Sequence, residues 1–98
     1  MKIRFRQSGG LAGLAKVAEV DSERISPVES GRLQALVDDA LAETFPHAGP
    51  ALPDEEHYYV EIEIAERRRT IFVGRSTMPD PVRPLIEYLE KHAEYEKR

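Results

Sequence analysis

The chain contains neither cysteine nor tryptophan. Without cysteine there is no disulfide framework, no thiolate metal site and no thiol nucleophile. Long apolar runs are also missing. The opening "MKIRFRQSGG" has no extended apolar stretch behind its charges, so it reads as neither a secretory signal nor a membrane span. A soluble, cytoplasmic, bacterial-type protein is expected. Basic charge is in deficit, with a formal net charge of −4, which disfavours nucleic acid as an electrostatic partner.

What is present suits one small domain. Ninety-eight residues with a hydrophobic fraction of 41% can bury a modest core, with little room left for an enclosed active-site cavity. The single domain is expected to span 1–98, with 96–98 frayed.

"KIRFRQ" alternates strictly, Ile3 and Phe5 on one side and Lys2, Arg4 and Arg6 on the other, which is the pattern of a half-buried strand. "LAKVAEVD" follows as a less regular strand, open to a bulge or an edge position. "SPVESGRLQALVDDALAETF" reads as a helix. Ser26 caps it, Pro27 takes the first helical position, and Glu29 completes a capping box with Ser26. Leu33, Leu36, Val37, Ala40, Leu41 and Phe45 form its apolar stripe. Gly31 inside it costs up to about 1 kcal/mol relative to alanine.

Residues 46–56, "PHAGPALPDEE", are a proline-rich connection longer than the usual 4 to 6 residues. "HYYVEIEIA" alternates again, placing Tyr58, Val60, Ile62 and Ile64 inward and Tyr59, Glu61 and Glu63 outward. "ERR" is expected to turn the chain without the favoured Asn-Gly or Asp-Gly pair, and "RTIFVG" to return as a fourth strand. "MPDPVRPLIEYLEKHAEYEKR" closes with a second helix capped by Asp80, its stripe made of Val82, Leu85, Ile86, Leu89 and Ala93. Pro84 falls early enough to be tolerated.

The order β-β-α-β-β-α predicts an α+β two-layer sandwich, with two helices on one face of a four-stranded antiparallel sheet. The uncovered face carries Arg4 and Arg6 beside Glu61 and Glu63, available for cross-strand ion pairs if their strands are neighbours.

Catalytic patterns are sparse. His47 and His57 flank the proline-rich connection near Glu55 and Glu56, but tight metal spacing such as H-E-x-x-H does not occur. They read as solvent-exposed loop histidines, and neither a metal nor another cofactor is expected. A serine nucleophile would need Ser8, Ser22, Ser26, Ser30 or Ser76 to meet a histidine through the tertiary fold. "GGLAG" is followed neither by the lysine of a phosphate-binding loop nor by a helix N-terminus. "ERRR", residues 66 to 69, reads as a solvated hairpin tip. An enzyme is not the expectation.

"SGGLAGL", residues 8–14, remains. Connections between strands are normally polar, yet Leu11 and Leu14 sit among three glycines. One account folds Leu11 or Leu14 back over the sheet edge. The other uses the glycines for close backbone approach to a partner, with Leu11 filling a pocket on it.

"MKIRFRQSGGLAGL", "SGRLQALVDDAL" and "PDPVRPLIEYLEKHA" together resemble the emfourin family over nearly the whole chain. These are small bacterial proteins that inhibit thermolysin-like metallopeptidases such as protealysin. The shared glycine stretch falls on Gly9, Gly10, Leu11, Ala12 and Gly13, with leucine where members often carry phenylalanine. The resemblance implies that Gly9–Leu14 enters the protease cleft, Leu11 occupying the pocket for a bulky apolar residue just after the scissile bond. Burying one such side chain is worth about 1.5–3 kcal/mol, too little for tight inhibition. A second contact is therefore expected, from the 46–56 connection or from the outward face at Tyr59. The alternative is a non-inhibitory interaction module, such as a homodimeric adaptor paired through its open sheet face.

Overall fold

Strict alternation of apolar and charged side chains builds the centre of the protein. The computed structural model describes residues 1–9, 15–42 and 55–95. In it Lys2–Ser8 (β1) buries Ile3, Phe5 and Gln7 and turns Lys2, Arg4 and Arg6 outward. Lys16–Asp21 (β2) pairs with β1 one residue to one, from Lys2↔Asp21 to Gln7↔Lys16, so the uneven sequence pattern hides no bulge. His57–Ile64 (β3) runs antiparallel along the other side of β1, and Arg67–Gly74 (β4) follows on β3. The sheet order is β4-β3-β1-β2-β5.

The fifth strand corrects the expected count of four. Glu94–Tyr95 (β5) pairs with Val17 and Lys16 at the start of β2, where the sequence suggested only a charged tail. Lys16 Nζ lies 5.0 Å from the centre of the Tyr95 ring, a cation–π contact that helps hold so short a strand.

The first helix, Pro27–Leu41 (α1), starts as expected. Ser26 Oγ accepts the Glu29 N–H at 3.2 Å and Pro27 occupies the first turn. Half of the expected capping box is replaced, because the Glu29 carboxylate accepts a bond from the Tyr88 hydroxyl at 3.4 Å. Leu33, Val37 and Ala40 are buried, while Leu36 and Leu41 pack at the margin. Phe45 lies outside the described residues.

The second helix begins later than its proline pattern suggested. Asp80–Val82 forms a one-turn 3-10 helix, so Asp80 is not the cap, and Arg83–His92 (α2) continues from it without a side-chain cap. Pro84 sits in the first turn of α2, where the amides have no intrahelical partner. Leu85, Ile86, Tyr88 and Leu89 point inward.

Both helices cover one face of the sheet. Their buried side chains join Ile3, Phe5, Val20, Tyr58, Val60, Ile62, Ile71 and Val73 in one core. Ile64 departs from its expected inward place, at 39% exposure, because it is the last residue of β3 before the β3–β4 turn. That turn is the two residues Ala65 and Glu66, not "ERR", since Ile64 pairs directly with Arg67. Ala65 takes a positive φ of 55° there, a conformation that glycine, asparagine or aspartate adopts at less cost.

Candidate functional site

The open face of the sheet divides along its length. Far from the β1–β2 connection it is charged: Lys2, Arg4, Glu19, Glu61 and Glu63 occupy successive register positions. Arg4 and Glu61 are cross-strand neighbours, an arrangement that the sequence left open, but the Glu61 carboxylate takes its ion pair from β4, with Arg68 Nε at 2.9 Å. Nearer the connection the face turns apolar. Val17, Arg6, Tyr59 and Phe72 form one row across β2, β1, β3 and β4. Tyr59 is 40% exposed while Tyr58 beside it is buried, the split that strict alternation requires. A shallow groove of about 340 Å³ lies here, bordered by Arg4, Arg6, Val17, Glu19, Tyr59 and Glu61.

One step further, Ser8 faces His57, and Ser8 Oγ lies 2.8 Å from His57 Nε2. Hydroxyl and imidazole are within the reach that a serine nucleophile needs from its base. They are also direct cross-strand partners, which suffices to bring them together. His57 Nδ1, where a triad would seat its orienting group, is turned toward Gly9: a Cβ built on Gly9 would lie 3.0 Å from it. The ring packs edge-on against Phe72, with centroids 5.6 Å apart.

Gly9 is the point at which the chain leaves the sheet. Its φ is +91°, and an added Cβ would sit 2.6 Å from the Glu55 carbonyl oxygen. Both facts require glycine: L side chains avoid that backbone region, and the obstacle is main chain that cannot swing aside. The exit from β1 is thus pressed against the backbone that leads into β3.

That backbone is in turn tied to the turn after β4. Glu56 pairs with Arg75 through their side chains, and the Arg75 N–H donates to the Glu56 carbonyl at 3.0 Å. The Glu55 carboxylate accepts the Ser76 N–H. Thr77 closes the turn, its Oγ1 accepting the Gly74 N–H at 2.9 Å. Beneath, the Tyr58 hydroxyl donates to Glu56 at 3.4 Å, and burial with the nearby Glu90 charge pushes the Tyr58 phenol up to about 12. The Arg75 hydrogen bond holds the Glu56 carboxyl below the usual carboxylate range against the opposing effect of burial. Glu90 on α2 shifts the other way, raised by burial against the pull of Arg75.

Of the residues singled out in the sequence, Gly9 stands at this end of the sheet and Tyr59 on the adjoining open face. Gly10, Leu11, Ala12, Gly13, Leu14 and His47 lie outside the described residues. His92 is on α2, its Nδ1–H donating to the Tyr88 carbonyl at 2.9 Å, away from His57. Among the described residues, no three histidine, aspartate or glutamate side chains are grouped to hold a metal ion, and no helix is long and apolar enough to cross a membrane. Sequence reasoning missed the tie between Glu55–Glu56 and Arg75–Ser76, for which the acidic pair before β3 is the only local signal.

The chain matches no curated protein and no solved structure. The sequence model of the emfourin family matches residues 5–90, a span that runs from the middle of β1 through the glycine segment and the proline-rich connection to most of α2. On that match the chain belongs to the emfourin family.

Proposed function

We propose that the protein is an inhibitor of thermolysin-like zinc metallopeptidases, acting as a plug and not as an enzyme. Gly9 to Leu14 enter the protease cleft, with Leu11 in the apolar pocket and the zinc supplied by the protease. The family match over residues 5–90 carries this reading. The geometry of Gly9 supports it, since that residue is required as glycine at the point where the segment leaves the sheet. Tyr59 and its row on the open face offer the second contact.

Titration of thermolysin with the purified protein, followed over time, tests the reading. Leu11→Ala should weaken inhibition by the equivalent of about 1.5–3 kcal/mol, roughly ten- to 150-fold in inhibition constant, with unchanged thermal unfolding. Equal inhibition by a folded Leu11→Ala variant would refute the anchor role.

The exposed Tyr59 and the groove beside it favour a second reading, a homodimeric adaptor paired through the open sheet face. A stable dimer by size-exclusion chromatography, without inhibition, would select it.

A further inference from the structure

The tie at the end of the sheet carries more polar machinery than a simple turn requires. Two consecutive carboxylates, Glu55 and Glu56, are both directed at the single turn Arg75–Ser76. The Arg75 guanidinium is paired with Glu56, the residue just before β3, and its charge is also favoured by Glu90 on α2. Gly9 leans on the same stretch, its Cα side closed off by the Glu55 carbonyl. The described ends of three connections thus share one support.

We propose that Glu56 and Arg75 are positioning residues. Their ion pair, with the Glu55–Ser76 bond, locks the entry to β3 against the turn after β4. It thereby fixes the wall that Gly9 rests on and the direction in which the chain leaves β1. The inference rests on the inhibitor reading and names what holds its binding segment in place.

Exposure separates this role from ordinary stability. The Arg75 side chain is 61% exposed and that of Glu56 35%, and ion pairs so open to water add little to global stability. Their effect is local order. An inhibitor whose binding form is only partly populated loses apparent affinity in proportion to that fraction, and the loss falls on association.

The test compares Glu56→Gln, Arg75→Gln and the double variant with the wild type. Amide hydrogen exchange at Arg75 and Ser76 should accelerate about tenfold or more in either single variant, while the melting temperature stays within about 4 °C of wild type. Inhibition of thermolysin should weaken about tenfold, mainly through a slower association rate. Arg75→Gln should be the more severe, because it leaves Glu56 and Glu90 facing each other. The double variant should be no worse than Arg75→Gln alone, the non-additivity of a shared interaction, and Arg75→Lys should restore part of the loss. Wild-type inhibition with unchanged variants, or losses that simply add, would overturn the positioning role and leave the inhibitor reading standing. Should the wild type inhibit nothing, the inhibitor reading falls and the exchange rates decide the lock alone: acceleration supports it and unchanged rates overturn it.

Discussion

Replacing glycine by alanine at position 9 and at position 31 should move stability in opposite directions, for reasons visible in the backbone. At Gly9 the φ of +91° must be kept by a residue with a Cβ, which costs about 1–2 kcal/mol. The Cβ also meets the Glu55 carbonyl oxygen at 2.6 Å. Because that oxygen belongs to the main chain leading into β3, relief requires a backbone shift, and forced overpacking of this kind costs about 1–3 kcal/mol. Against this, alanine restricts the unfolded chain and returns about 0.4–1 kcal/mol. The balance is a loss of about 1–4.6 kcal/mol, or roughly 4–37 °C in melting temperature for a domain of this size. At Gly31 nothing lies within 4 Å of an added Cβ and the residue is inside α1. There alanine should stabilise by about 0.5–1 kcal/mol, raising the melting temperature by roughly 2–8 °C. Thermal unfolding followed by circular dichroism reads both. A Gly9→Ala protein melting within about 3 °C of wild type would refute the claim that the exit from β1 is sterically fixed.

Ala65→Gly should stabilise by about 1 kcal/mol, because φ is +55° at that position; a denaturant midpoint that falls would show the turn is not strained. Leu89→Ala, which opens a cavity under α2 where the side chain is fully buried, should cost about 2–5 kcal/mol by chemical denaturation. The acid limb of stability reports Glu56. Its folded-state pKa is lowered from 4.5, so its contribution is complete above pH 4.5 and disappears as pH falls below that value. Unfolding free energies measured from pH 6 down to pH 3 should therefore fall less steeply in Glu56→Gln than in wild type. Glu90 has the opposite sign: its raised pKa means that its contribution is present below pH 4.5 and lost as pH rises. Glu90→Gln should accordingly be more stable than wild type at pH 7.

Local chemistry alone determined much of this protein. The alternation of "KIRFRQ" and "HYYVEIEI" assigned each side chain to a face before any partner strand was known, since successive residues on a strand point to opposite sides. Ser26 and Pro27 marked the start of α1, because capping depends only on the first turn. The glycine cluster after Ser8 likewise announced itself in the sequence. Periodicity fails where the deciding contact is distant. Ile64 alternates correctly but lies at the strand's end, Glu29 leaves its capping role for Tyr88 59 residues away, and β5 exists only because β2 offers it an edge. The same holds for the site. Which strands meet, in the order β4-β3-β1-β2-β5, is what puts Ser8 against His57 and brings Arg75 to Glu56, 19 residues earlier in the chain. The need for glycine at position 9 also arises there, from the Glu55 carbonyl that the fold presses against it. A carbonyl contributed from so far along the chain leaves no trace in the residues around Gly9.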